Sequence, residues 1–270
     1  MKRPYPVVHL CLVLLLTIIN MSCQKDADIV IAIDPCEEVD CQNGSGCNDG
    51  TCDCPDGFVG EFCEFESGTF IDARDNFVYR WVILKDGKKW MSNNLNYWND
   101  DLLGNSKYYK FNWTYADIYG RLYDWDAIMQ GEENSNTDSS GVQGICPDGW
   151  HVPSDIEWSF MRKQYGGNAD DSTDYGYSAY DALRNGGYSG LDLVFGGAFL
   201  FYNNIDPSEL NPFPQPETGF FGIENIGKYW SASRHDSWSL YTYIVNESYE
   251  TLFRGTSPSQ HLNSCRCIED

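Results

Sequence analysis

The chain has 270 residues, 42% of them hydrophobic and 21% charged, which fits a soluble main domain with a smaller module. Its 18 basic and 40 acidic residues give a net charge of −22, which argues against a nucleic-acid partner because the long-range field repels phosphates. Eleven cysteines, crowded towards the N-terminus, favour disulfide bonds and an exported protein.

Residues 1–22 have the order of a signal peptide, with Lys2 and Arg3 followed by an apolar run over residues 7–19. This run is shorter than the ~20 residues that a membrane-spanning helix needs. The segment that ends at Cys23 resembles the lipobox of bacterial lipoproteins, and the resemblance implies that Cys23 is acylated and becomes the first mature residue. The alternative is ordinary cleavage nearby, with a free Cys23 thiol.

The residues after the lipidation site predict a surface location. Residues 24–28 resemble the charged export tag of surface-exposed lipoproteins in Gram-negative bacteria, and residues 23–34 are predicted to be a tether. Removal of residues 1–22 leaves 16 basic and 40 acidic residues, so acyl chains and not electrostatic attraction would hold the protein at its membrane. We therefore expect an outer-membrane lipoprotein that faces outwards.

Six cysteines follow in close order, with 4, 5, 4, 1 and 8 residues between neighbours: Cys36, Cys41, Cys47, Cys52, Cys54 and Cys63. Counting alone allows 15 pairings. The spacing resembles the EGF-like module, which is assigned to residues 35–66. That resemblance implies bonds from Cys36 to Cys47, Cys41 to Cys52 and Cys54 to Cys63. So short a segment depends on its bridges for stability, and its acidic residues do not reproduce the calcium site of some EGF-like modules.

The main domain is assigned to residues 67–270 and opens with β-structure. Residues 77–84 predict a strand, Asp86-Gly87 a hairpin turn and residues 89–91 the returning strand. Residues 115–130 predict a helix, because their apolar side chains recur at nearly helical spacing.

A second helix is predicted to begin at Ser154, where Ser154 and Glu157 have the spacing of a capping box, and to stop at Gly166-Gly167. Residues 178–184 predict a short third helix. Further strands are predicted at residues 191–201, 229–233, 240–245 and 265–268. Helices in the middle with strands on either side predict an α+β fold whose two ends meet in one sheet.

Six segments resemble the Fibrobacter succinogenes major paralogous domain, in that family's order across residues 67–270. They are residues 70–79, 90–97, 119–125, 145–154, 229–233 and 264–268. The resemblance implies a C-type-lectin-like domain, a mixed α+β scaffold that displays a variable loop region. The family occurs on bacterial surface proteins of mostly undetermined ligand, so it informs the architecture more than the function.

The same resemblance implies a disulfide between Cys146 and Cys267. The family's last block usually carries one cysteine, so Cys265 is left over in this chain. Side chains two positions apart in a strand face the same side, and facing alone therefore does not distinguish Cys265 from Cys267.

A proline-containing stretch over residues 202–227 is extended relative to the family and carries the candidate binding residues. Sugar sites need an aromatic face together with carboxylates and amides. The stretch and the turn after it supply Tyr202, Asn203, Asn204, Asp206, Glu209, Glu217, His235, Asp236 and Trp238. Residues 215–217 resemble a calcium and sugar motif of C-type lectins, but such short matches arise by chance. We expect no cofactor and no metal, with calcium as the alternative.

Large rings inside the family's blocks are predicted to fill the core: Trp90, Trp125, Trp150, Trp158 and Trp230. His151 lies between Trp150 and Val152 and is predicted to be an internal hydrogen-bonding residue, not a base or a metal ligand.

No HExxH, GxSxG or glycine-rich phosphate loop occurs in the sequence, so we expect no enzyme. The predicted function is binding or adhesion at the cell surface, with a glycan or a surface protein as partner. One alternative is a structural component of the envelope, and another is a glycan-active enzyme with a carboxylate pair. Some related lectin-like folds house copper oxidases that use two cysteines, and Cys265 with Cys267 would be the corresponding pair in this chain.

Overall fold

A computed structural model describes residues 34–167, 175–201 and 219–270. In these ranges the protein is mixed α+β and mostly sheet. The strands are β1 (Gly46–Asn48), β2 (Thr51–Asp53), β3 (Phe58–Val59), β4 (Phe65–Ile71), β5 (Val78–Ile83), β6 (Lys89–Met91), β7 (Ser106–Lys107), β8 (Leu122–Tyr123), β9 (Trp150–His151), β10 (Gly196–Leu200), β11 (Gly219–Ile223), β12 (Ile226–Arg234), β13 (Ser239–Asn246), β14 (Thr251–Pro258) and β15 (Ile268–Glu269). The helices are α1 (Ala116–Tyr119), α2 (Trp125–Met129), α3 (Asp155–Gln164) and α4 (Tyr177–Leu183), with 3-10 turns at Tyr109–Phe111 and Trp113–Tyr115.

Two larger sheets organise the fold. The first has the order β3-β4-β5-β6-β15-β9, and the second has the order β11-β10-β12-β13-β14. Ile268 in β15 pairs with both Trp90 and His151, so the last strand lies between β6 and β9. The prediction that the two ends of the domain meet in one sheet is therefore confirmed.

The disulfide-rich segment, residues 35–63, packs against the rest of the chain. Its three bonds join Cys36 to Cys47, Cys41 to Cys52 and Cys54 to Cys63, as the resemblance implied. β3 pairs with β4, and β4 crosses the boundary predicted between residues 66 and 67. Residues 35–270 form one compact unit.

Aromatic side chains fill the interior between the sheets and α3. The rings of Trp90 and Trp158 lie 4.8 Å apart, and Trp158 stacks on Tyr243 at 5.1 Å. The Trp158 indole donates to the Trp230 carbonyl at 3.1 Å, which satisfies its only polar atom. The tryptophans predicted to lie in the core are all buried: Trp90, Trp125, Trp150, Trp158 and Trp230.

The predicted helices at residues 154–164 and 178–184 are confirmed. Ser154 Oγ accepts from the Glu157 amide at 3.1 Å, and Glu157 Oε2 accepts from the Ser154 amide at 2.9 Å, which completes the capping box. At 10 residues, α3 is the longest helix of the described ranges, and none there is long and apolar enough to cross a bilayer.

The prediction of one helix over residues 115–130 is wrong, because α1 and α2 are separated by β8. Gly120 ends α1 with φ 67°, and a Cβ there would lie 2.7 Å from the Leu95 carbonyl oxygen. Asp124 then starts α2 anew by accepting from the Ala127 amide at 2.8 Å.

Some strands differ from their predicted extents. β10 covers only the end of the predicted strand at residues 191–201, and β15 only the end of the one at residues 265–268. β14 was not predicted, because Arg254, Gly255 and Thr256 interrupt its apolar alternation. β14 is stabilised as a strand by pairing with β13 along its whole length.

His151 lies between two carboxylates in a buried polar network. Its Nε2 is 2.9 Å from Glu157 Oε1 and its Nδ1 is 2.8 Å from Asp270 Oδ1, while Lys88 Nζ donates to the same Glu157 oxygen at 2.9 Å. Burial alone lowers the pKa of His151, but the bonds to Glu157 and Asp270 outweigh it and raise the pKa above 6.5. Burial alone raises the pKa of Glu157, but His151 and Lys88 bring it below 4.5. His151 is therefore the internal hydrogen-bonding residue that was predicted.

Replacing His151 by Gln tests this network through the pH dependence of stability. The His151 contribution is complete below pH 6.5 and is lost as pH rises through the raised pKa, whereas the Glu157 contribution is present above pH 4.5 and is lost as pH falls. The wild-type advantage in unfolding free energy over His151→Gln should be about 1 kcal/mol larger at pH 5.5 than at pH 8.5, measured by urea unfolding. An equal wild-type advantage at the two pH values would contradict the network.

Three cysteine sulfurs meet in the core. Cys146 and Cys267 are bonded across 121 residues, as the resemblance implied, and Cys265 is a buried free thiol. The three sulfurs lie within 4.8 Å of one another. Burial raises the pKa of Cys265 to about 12, which removes the thiolate on which its reactivity would depend.

Loss of the long-range disulfide should destabilise the protein strongly. The double variant Cys146→Ser with Cys267→Ser should lose about 4 to 5 kcal/mol of unfolding free energy, because the bond closes a loop of more than a hundred residues. Urea unfolding measures the loss.

The free thiol of Cys265 gives a separate test of burial. In folded protein that begins at residue 35, Cys265 should resist thiol reagents, and it should react once the protein is unfolded. Rapid labelling of the folded protein would contradict the burial of Cys265.

Candidate functional site

A cleft of about 610 Å³ opens beside the turn between β12 and β13. Its walls come from distant parts of the chain and combine aromatic, amide, hydroxyl and charged groups. The described lining residues are Asn105, Asp124, Phe201, Arg234, Ser237, Trp238, Ser259 and Gln260.

Asp124 provides a carboxylate at the junction of β8 and α2. It is 6% exposed, and its Oδ1 accepts from the Ala127 amide at 2.8 Å while its Oδ2 accepts from Asn105 Nδ2 at 2.7 Å. Gly104 permits this approach, since a Cβ there would lie 2.3 Å from Asp124 Oδ1. Asp124 is thus held rigidly by its two partners.

Trp238 projects from the turn between β12 and β13 and is 86% exposed. The turn is closed by Asp236, whose Oδ1 accepts from the Trp238 amide at 2.7 Å and from the Ser239 amide at 2.8 Å. These bonds, led by that from the Trp238 backbone, lower the pKa of Asp236. A fixed turn therefore presents a large aromatic ring to solvent at the rim of the cleft.

Arg234 adds a positive charge at the end of β12. Its guanidinium lies 5.0 Å from the centroid of the Trp125 ring. The Trp125 amide donates to the Ser259 carbonyl at 3.0 Å, which fixes the turn after β14 beside the same wall. The cleft therefore offers both a cation and a carboxylate next to neutral hydrogen-bonding groups.

Four aromatic rings follow one another from the cleft, and we call them the aromatic row: Phe201, Phe199, Phe220 and Phe111. Their successive centroids lie 4.7, 4.8 and 5.1 Å apart. Lys107 Nζ lies 5.5 Å from the Phe111 ring. Phe111 is 71% exposed and Trp113, two residues later, is 72% exposed. Phe199 is buried, so the row belongs to the core and only its last ring, Phe111, is open to solvent.

The sequence located part of this site. Trp238 lines the cleft as predicted, whereas His235 packs on Tyr241 at 4.9 Å and Asp236 holds the turn, and neither lines the cleft. The remaining predicted residues lie outside the described ranges: Tyr202, Asn203, Asn204, Asp206, Glu209 and Glu217. The lipidation residue, Cys23, also lies outside them.

Sequence reasoning missed Asn105, Asp124, Arg234 and Ser259. Asp124 was placed inside a continuous helix, although an Asp before Trp125 is also a good helix-capping signal. The other three residues reach the cleft only through contacts between distant segments, and nothing in their local sequence indicates this.

Variants of Asp124 and Trp238 should show that the Asp124 side chain stabilises the fold and that the Trp238 side chain does not. Asp124→Ala removes the cap of α2 and the partner of Asn105, so it should lower the unfolding free energy by about 1 to 2 kcal/mol, whereas Asp124→Asn should retain most of it. Trp238→Ala should change it by less than about 0.5 kcal/mol, because the side chain is exposed. Urea unfolding checks both, and equal losses would contradict this assignment.

Comparison with known proteins gives one family. No curated protein and no solved structure matches the chain. The model of the Fibrobacter succinogenes major domain matches residues 85–269, which include every described lining residue of the cleft. The chain therefore belongs to the Fibrobacter succinogenes major domain family.

Proposed function

We propose that this chain is a surface-anchored lipoprotein that binds a glycan in the cleft beside Trp238 and does not transform it. The observation that carries the proposal is the 86% exposure of Trp238 at the rim of a cleft lined by amide, hydroxyl, carboxylate and guanidinium groups. An exposed indole can cover the apolar face of a sugar ring while fixed polar groups bind its hydroxyls.

The proposed location rests on the sequence. The signal-peptide order of residues 1–22 and the lipobox-like segment before Cys23 support an acyl anchor in the outer membrane of a Gram-negative bacterium. The spacing of six cysteines supports an EGF-like module at residues 35–66, and the family supports a C-type-lectin-like scaffold for the remainder. Outward display would bring the cleft to extracellular glycans.

The aromatic row does not continue the binding surface, because Phe199 within it is buried. The proposed glycan contacts are therefore those of Trp238 and the cleft. A protein partner is the second candidate, favoured by the exposure of Phe111 and Trp113.

The chemistry of the described lining supports recognition without a metal and without turnover. Asp124 is its one carboxylate, and both of its oxygens already accept hydrogen bonds. Calcium takes six to eight oxygen ligands, and glycoside hydrolysis ordinarily uses two carboxylates. Asp124 is therefore a positioned hydrogen-bond acceptor in this proposal.

Glycan binding by the purified protein tests the proposal. A glycan array identifies ligands, and calorimetry then compares Trp238→Ala with Tyr249→Ala. Both rings are exposed, but they lie in the turns at opposite ends of β13. Trp238→Ala should weaken binding about 10-fold or more, and Tyr249→Ala should leave the affinity unchanged.

A chelator should not alter the affinity, and no array ligand should be turned over. Absence of any glycan ligand, or equal effects of the Trp238 and Tyr249 variants, would contradict the proposed site. Turnover of a bound glycan would replace binding by catalysis as the function.

A further inference from the structure

A second concavity lies on one face of the five-stranded sheet, separate from the cleft. Its volume is about 360 Å³, within the range of small-molecule pockets. We call it the sheet groove and define it by Leu200, Phe221, Ile226, Lys228, Ile244 and Phe253. Nothing in the proposed glycan site uses these residues.

Lys228 lies at the β12 end of a row across three strands whose other two members are apolar. In the sheet register Lys228 in β12 pairs with Ile244 in β13, and Ile244 pairs with Phe253 in β14. Ile226 lies two positions before Lys228 and so points to the same face. The groove residues beside Lys228 on its own strand and on β13 are therefore hydrocarbon, and Leu200 of the neighbouring β10 lines the same groove.

The ammonium of Lys228 is only partly satisfied. Its Nζ donates to the Thr256 carbonyl oxygen at 3.2 Å, and it forms no ion pair with the carboxylates of the described residues. An ammonium has three N–H donors, so further donors remain after the bond to the Thr256 carbonyl. Burial of part of the side chain lowers the pKa of Lys228 to about 8, while its ammonium still reaches the opening of the groove.

His261 is the other titratable group that lines the groove. It is 6% exposed, and its Nε2 lies 3.0 Å from the Phe201 carbonyl oxygen. Burial, together with the charge of Lys228, lowers the pKa of His261. A neutral His261 supplies no negative charge to compensate the ammonium.

We propose that the sheet groove binds an amphiphile with a carboxylate head, which pairs with Lys228 Nζ, and a hydrocarbon chain, which covers Ile226, Ile244 and Phe253. A carboxylate supplies the negative charge and the further acceptor that the Lys228 ammonium lacks among the described residues. Hydrocarbon in contact with the apolar walls is removed from water at the same time. The chemical class is a fatty acid or another aliphatic carboxylate.

The probe is 11-(dansylamino)undecanoic acid, and its methyl ester is the matched neutral ligand. Titration of the purified protein, followed by dansyl fluorescence, should show about 10-fold or more tighter binding of the acid than of the ester, because only the acid pairs with Lys228. Equal affinities for acid and ester in the wild-type protein would overturn the proposal whatever the variants do.

Three variants locate the interaction. Lys228→Met should bind the acid and the ester equally, and Lys228→Arg should retain the preference for the acid. Lys110→Met removes an exposed lysine outside the groove and should behave as wild type. Circular dichroism confirms that each variant is folded before titration.

Two further results would overturn the proposal. A protein that is dimeric in analytical ultracentrifugation and takes up the probe only on dilution to the monomer would make the groove an interface between copies, and would overturn the proposal. Loss of the acid preference in Lys110→Met would show a general charge effect and would overturn it too. Glycan binding by Trp238→Ala is a separate readout, so the two proposals can fail independently.

Discussion

The fold depends on how the last strand segment is held inside the protein. Arg266 is fully buried, and its guanidinium donates to the carbonyls of Met91 and Leu191, both at 2.8 Å, and to Asn94 Oδ1 at 2.7 Å. The next residue, Cys267, is bonded to Cys146. A buried guanidinium that loses its acceptors is costly, so one register of the segment is strongly favoured. That register places β15 between β6 and β9 and joins the beginning and the end of the domain.

The same closure positions the cleft. Asn263 and Tyr123 exchange backbone hydrogen bonds at 2.8 and 2.9 Å, which brings the junction of β8 and α2 beside the turn after β14. Asp124 follows Tyr123, and Ser259 lies in that turn, so both reach one wall of the cleft through this pairing. The turn also divides the two concavities, because Ser259 lines the cleft whereas Pro258 lines the sheet groove. The shape of both concavities therefore depends on this backbone pairing in the core.

Sequence reasoning was most successful where a local signal and the fold agree. The capping box at Ser154 starts α3, and the family resemblance supplied all four disulfide pairings. It failed where a neighbour decides the outcome: Gly120 ends α1 with φ 67°, and the approach of the Leu95 carbonyl requires a glycine there. Lys228 reads as an ordinary surface lysine in sequence, and only the sheet register places it beside Ile244 and Phe253 in an apolar groove. Trp238 was found because exposure of a large ring in a turn has a local signature.

The six-stranded sheet ends in a two-residue strand on each side, β3 on one edge and β9 on the other. An exposed edge strand displays unpaired backbone groups with which another polypeptide can pair. A short edge strand limits such pairing. Since β3 belongs to the disulfide-rich segment, the cross-linked N-terminal region shields the longer β4 from such intermolecular pairing. The three disulfides therefore protect the chain against aggregation as well as against unfolding.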